Sequence, residues 1–177
     1  MSSSVASRFL KSTHTPSALV GNVIVREHIF SFPLDWQDAD TPSATKIDVF
    51  VREVSSSTAT TSDPAVLYLQ GGPGFPSPRP TTPVSGWMKV ALEKGHRVLL
   101  MDQRGTGAST AMSAQRLGQL EVQGGVELQA HYLSHMRSDA IADDVDVSNH
   151  TRSQSVADNT IRIMNSWNAF LQYSTLS

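Results

Sequence analysis

Apolar and polar positions change rhythm several times along the chain, and each rhythm predicts a different element. Lys46-Ile47-Asp48-Val49-Phe50-Val51-Arg52-Glu53-Val54 alternates, with Ile47, Val49 and Val51 on one side. A period of two is the signature of a half-buried strand. Earlier, Val23-Ile24-Val25 and Ile29-Phe30 flank a polar patch, and Pro33-Leu34-Asp35 closes this strand-like stretch. Ala65-Val66-Leu67-Tyr68-Leu69 and His96-Arg97-Val98-Leu99-Leu100-Met101 are short and nearly continuously apolar, as strands covered on both faces are. Ser85 to Lys94 predicts a short helix stopped at Gly95, where a C-cap glycine is expected. Ser55 to Ser62 and Leu117 to Gly125 read as loops. Val126 to Val147 reads as helix, with Leu128, Leu133, Met136, Ala140 and Ile141 apolar. Five prolines between Pro73 and Pro83 forbid regular structure there. Strands separated by helices predict an α/β fold, a mainly parallel sheet with helices on its faces and an antiparallel hairpin at its start. Four strands are visible, the lower limit for such a sheet.

The two ends read differently. Met1 to Arg26 is Ser/Thr-rich, carries Arg8, Lys11 and Arg26, and has no acid before Glu27. Transit peptides share that composition faintly, and residues 1–22 are expected to be a disordered terminus. Beyond Val147 the apolar residues Ile161, Ile163, Met164, Trp167, Phe170 and Leu171 keep no clean period. The chain therefore divides into a terminus over 1–22, a domain over 23–146, and a divergent tail over 147–177 that is a loose helix or disorder.

Composition narrows the function classes. Lysine plus arginine number 14 and aspartate plus glutamate 16, a net charge of −2, so no basic face for nucleic acid is expected. Hydrophobic residues at 39% and charged ones at 17% are both below globular averages, which places part of the chain outside a packed core. There is no cysteine, hence no disulfide framework, thiolate metal site or cysteine nucleophile. No apolar run approaches the roughly 18 residues of a membrane span. A cytoplasmic chain with no membrane partner is the expectation. The six histidines lack metal-ligand spacing. Asp143-Asp144-x-Asp146 lacks the glycine and terminal glutamate of a calcium loop and reads as a solvated helix end. No metal or organic cofactor is implied.

Two motifs follow the apolar strands. Gln70-Gly71-Gly72-Pro73-Gly74 comes directly after Ala65–Leu69, and ligands of open α/β sheets bind beyond the carboxyl ends of strands. Glycines there let the main chain approach a ligand, and Pro73 fixes the turn in advance. Main-chain amides around Gly71, Gly72 and Gly74 are therefore a candidate oxyanion hole, in which each preorganised donor is worth about 3–4 kcal/mol to acyl transfer. An ordinary tight turn uses the same residues. After the next strand comes Asp102-Gln103-Arg104-Gly105-Thr106-Gly107-Ala108-Ser109. Asp102 can accept amide bonds and Arg104 can donate five. Together with Gln70, Pro73, Gln103, Gly105 and Gly107 they are expected to brace the loops around the site. Gly105-x-Gly107 alone is no phosphate cradle.

The strand into QGGPG, the Pro-rich loop, Gly86-Trp87 and RVLLMDQRGTGAS together resemble prolyl aminopeptidases (proline iminopeptidases) of the α/β-hydrolase superfamily. Glu27-His28-x-Phe30-x-x-Pro33-Leu34-Asp35 resembles that family's first hairpin. His131-Tyr132-Leu133 and Arg137-x-Asp139-x-Ile141-x-x-Asp144-x-Asp146 resemble the helix before its nucleophile strand, with Asp146 in place of a glutamate. The resemblance runs from Val23 to Asp146, about two thirds of the chain. It implies an incomplete α/β-hydrolase sheet made of the amino-terminal strands and first helices. It also implies serine-type hydrolysis of peptides that begin with proline, a histidine acting as base. Esterases and epoxide hydrolases of the superfamily, which more often carry His before the Gly-x-Pro turn, are the alternative enzyme class. A non-catalytic fragment is the alternative outside enzymes.

The resemblance also implies a G-x-S-x-G elbow soon after the Arg-x-Asp helix, and no glycine follows Asp146. Gly107-Ala108-Ser109-Thr110-Ala111 mimics an elbow, but its place belongs to the DQRGTG loop. The triad order Ser, acid, His would leave Asp139 to Asp158 and His150 as partners of Ser109, on or beside a helix. No catalytic nucleophile, acid or histidine is assigned, and the family's cap domain has no counterpart. The expectation is a truncated chain whose residues from about Val147 are unrelated coding.

Overall fold

The computed structural model describes residues 9–14, 23–71, 74–80, 84–150 and 162–165, with backbone alone for 146–150 and 162–165. These residues build one sheet with helices on both faces. Its strands are β1 (Leu10–His14), β2 (Val23–Pro33), β3 (Lys46–Ser56), β4 (Ala65–Leu69), β5 (Arg97–Asp102) and β6 (Arg162–Asn165), in the spatial order β1-β2-β3-β5-β4-β6. A 3₁₀ turn at Trp36–Asp38 follows β2. The helices are α1 (Gly86–Glu93), α2 (Ala114–Ser134) and α3 (Ser138–His150).

The alternation in β3 becomes two faces. Phe30 pairs with Val49 and Phe32 with Ile47, and these side chains join Val51, Leu67, Leu99 and Met101 in the larger core. Phe9, Trp36, Leu117, Leu120, Leu128, Tyr132 and Val145 cover that core, so α2 and α3 lie on this face. Val54, Tyr68, Val98 and Leu100 face the other way and pack under Trp87, Met88, Ala91 and Leu92 of α1. β4 and β5 are apolar on successive residues because both their faces are covered.

The structure corrects several sequence expectations. The sheet is mixed and not mainly parallel: β1–β2, β2–β3 and β3–β5 are antiparallel, while β5–β4 and β4–β6 are parallel. β2 is one continuous strand through its polar patch, because β3 pairs with it along the whole length from Val23–Ser56 to Pro33–Lys46. Part of the expected structureless terminus is ordered. Phe9 is buried, and Leu10–His14 pairs with β2; residues 1–8 and 15–22 lie outside the described residues. In the tail, α3 runs to His150 and Arg162–Asn165 pairs with β4; residues 151–161 and 166–177 lie outside the described residues.

Leu117 to Gln123 is helix and not loop. Ser113 Oγ caps α2 by accepting from the Arg116 N–H at 3.1 Å, and Leu117 and Leu120 are packed against the core. Burial of that stripe outweighs weak local propensity. A break at Gly124–Gly125 redirects the helix, with Gly125 at φ 71°, ψ −165°. The predicted single helix from 126 to 147 is interrupted at His135, the C-cap of α2, before α3 begins at Ser138. α1 ends as the pattern predicts, at Gly95 with φ +77°.

Candidate functional site

β4 and β5 run parallel, so both glycine-containing segments leave the sheet at the same edge. Gln70 is fixed immediately after β4. Its Oε1 accepts from the Tyr68 hydroxyl at 2.8 Å, its Nε2 donates to the Gly71 carbonyl at 3.1 Å, and its own carbonyl accepts from Gln103 Nε2 at 3.3 Å. The backbone at the start of the turn is therefore held from both strands. Burial raises the Tyr68 phenol above its ordinary value. Gly74 is at φ +97° with open space around it, a conformation that disfavours a side chain. Gly72 and Pro73 lie outside the described residues.

Asp102, the last residue of β5, is buried and joins the two loops. Its Oδ1 accepts from the Ser77 N–H at 2.8 Å and its Oδ2 from the Ala108 N–H at 2.9 Å. Ser77 Oγ adds a bond to the Met101 carbonyl at 2.5 Å. A Cβ on Gly107, at φ +55°, would meet the Asp102 carboxylate and lie 2.7 Å from Pro76 Cβ. Only glycine allows this close packing of the DQRGTG loop against the Pro-rich loop.

Arg104 ties the site to the helices. Nε and Nη2 make a bidentate pair with Asp144 at 2.8 and 2.5 Å, and Nη1 donates to the Leu34 and His135 carbonyls at 2.9 and 2.8 Å. Trp36 Nε1 donates to the same Asp144 at 3.0 Å. Asp144 is completely buried, which corrects its reading as part of a solvated helix end, while its neighbour Asp143 is exposed. Burial raises the Asp144 carboxyl, and the bonds and charge of Arg104 oppose that rise.

Ser109 is buried and its hydroxyl is committed. Oγ donates to the Asp102 carbonyl at 2.5 Å and accepts from the Phe50 N–H at 2.9 Å. Thr110 does the same for the next free amide of β3, accepting from the Asp48 N–H at 2.8 Å. The two hydroxyls thus satisfy β3 donors at and beyond the point where its pairing with β5 ends at Phe50–Asp102. That Ser-Thr pair directly after a glycine loop is the signal for this role.

A second polar cluster, not legible in the sequence, sits near the start of β5, away from the turns. Buried Glu53 accepts from His28 Nε2 at 3.1 Å and from Arg26 at 3.4 Å, with Arg97 Nη1 3.6 Å away. Thr13 Oγ1 lies 3.0 Å from His28 Nδ1. Among the described residues no group of three or more His, Cys, Asp or Glu side chains could hold a metal. No helix among them is long and apolar enough to cross a membrane.

No family profile matches the chain. Over 121 residues, 68% of its length, it is 44% identical to a proline iminopeptidase of Aeromonas sobria. Over 96 residues it is 42% identical to a proline iminopeptidase of Aspergillus aculeatus. This stretch is homologous to proline iminopeptidases. The chain spans 27% and 20% of the length of those two relatives, so it matches a part of each. The sheet is accordingly a partial α/β-hydrolase sheet, carrying the QGG turn and the DQRGTG loop of the proline iminopeptidase-like stretch. A cold-adapted esterase from an Arctic intertidal metagenomic library aligns at 17% identity and a TM-score of 0.34, covering 85% of this chain and 53% of its own. A likeness that low carries no weight for function.

Proposed function

We propose that the homologous stretch is the oxyanion-holding frame of a serine-type aminopeptidase that releases amino-terminal proline from peptides. We further propose that these 177 residues alone do not complete the reaction. The observation that carries the reading is the turn Gln70-Gly71 at the end of a buried parallel strand, fixed by Tyr68 and Gln103 beside the Asp102 tie. Amides of Gly71, Gly72 and Gly74 would receive the charge that develops on the scissile carbonyl oxygen. Because Asp102 and Arg104 hold the loops in place, the Gly71 and Gly74 donors would need little reorganisation when charge appears.

On this reading the frame has no available nucleophile among the described residues. The Ser109 hydroxyl is already bonded on both sides. β6 ends next to β4, and the residue after it in sequence is Ser166, within Met164-Asn165-Ser166-Trp167-Asn168. A serine stands there without the two glycines of an elbow, which hold a nucleophile on its tight strand-to-helix turn. A fluorophosphonate probe tests the reading. The expected result is no labelling of the purified chain. Labelling lost in Ser109→Ala would overturn the loop assignment; labelling lost in Ser166→Ala would overturn the incompetence of the 177 residues while leaving the hydrolase frame in place.

A further inference from the structure

We infer that the cavity beside the glycine turn is a subsite for a carboxylate on the substrate, read by Arg52 and Arg79; the inference rests on the peptidase reading above. The cavity has a volume of about 700 Å³, within the range of small-molecule sites, and Arg52, Gln70, Phe75, Pro76, Arg79 and Asp102 are among its lining residues. Two arginines face one carboxylate, Asp102, among those lining residues, and that carboxylate is held by the main chain and not by the arginines. Both carboxylate oxygens of Asp102 already accept main-chain amides, from Ser77 and Ala108.

Arg52 is preset. Its guanidinium lies 4.9 Å from the centre of the Phe50 ring, and Nη2 donates to Glu27 Oε1 at 3.2 Å. Its Nε and Nη1, and the whole guanidinium of exposed Arg79, have no acceptor among the described residues. A guanidinium fork matches a carboxylate in shape and charge, and one already stacked loses little freedom on binding. Phe75, 67% exposed, and Pro76 add an apolar wall for the body of the ligand. Gln70 lines the cavity and also precedes Gly71, so the cavity adjoins the turn, and in this proposal it receives the residue that follows the scissile carbonyl. The carboxylate is then either the carboxyl terminus of a dipeptide or an acidic side chain after the proline.

Calorimetric titration of the 177-residue chain with Pro-Gly, Pro-Gly-amide and Pro-Glu-amide tests this without any turnover. Pro-Gly, Pro-Glu-amide or both should bind at least about tenfold more tightly than Pro-Gly-amide, the step a charge-assisted hydrogen bond provides; which of the two does so identifies the source of the carboxylate. Arg52→Gln and Arg79→Gln should each reduce the preference, and Glu27→Gln, which removes a competing carboxylate, should increase it. Arg79 is exposed, so its variant decides the matter even if Arg52→Gln unfolds. Equal affinity for all three compounds, no binding of any, or a preference that survives Arg79→Gln would overturn the subsite. Equal affinity for all three overturns the subsite alone, whereas no binding of any counts against the peptidase reading as well, so the two failures are distinguishable.

Discussion

At the scale of single residues, two neighbouring aspartates of α3 have opposite circumstances. Asp144 is sealed against Arg104 and Trp36, and Asp143 is in solvent. Asp144→Ala would leave a buried guanidinium without its counter-charge, a loss of about 3–5 kcal/mol. Asp143→Ala should cost less than about 0.5 kcal/mol. Urea unfolding of the two variants measures both, and equal losses would contradict the buried pair. Gly107→Ala adds a different cost, since its positive φ and the contact with Pro76 both oppose a side chain; about 1–3 kcal/mol is expected. That Asp102 and Arg104 are hydrogen-bonded was legible in the sequence, because charged residues directly after a buried strand need partners. Asp144 was not, because Arg104 is 40 residues away from it and three aspartates in a row of four look like a wet helix end.

At the scale of elements, α2 supports a pair of glycine predictions with opposite signs. Gly118 has helical geometry and open space around it, while Gly125 holds φ +71° at the break. Gly118→Ala should stabilise by about 0.5–1 kcal/mol, and Gly125→Ala should destabilise by about 1–3 kcal/mol. Thermal denaturation of the two variants reads the contrast. β4 supports a pH prediction. The folded state raises the Tyr68 phenol, so its contribution is fully present below the ordinary value of about 10 and is lost as pH rises through the folded value. Absorbance at 295 nm should show a late-ionising tyrosine that disappears in Tyr68→Phe. Local pattern revealed β4, β5 and α1, whose apolar runs and C-terminal glycine are short-range signals. It did not reveal β1, β6 or the first half of α2. β1 is a Ser/Thr-bearing edge strand held by pairing with β2, β6 exists through parallel pairing with β4, and the α2 segment is held by burial against the sheet.

At the scale of the whole molecule, an antiparallel half built on β2 and β3 supports a parallel half from which the two loops emerge. The tie runs through Asp102 between loops, and through Arg104 to α3 and to the chain after β2. On the proposed reading, a frame held this way would stabilise a charged oxygen and would not create one. Steady-state release of proline from a prolyl-coumarylamide by the purified 177-residue chain tests that division most directly. Release no faster than in buffer is predicted, unchanged in Ser109→Ala and Ser166→Ala. Turnover at an enzyme-like rate, abolished by either substitution, would contradict it.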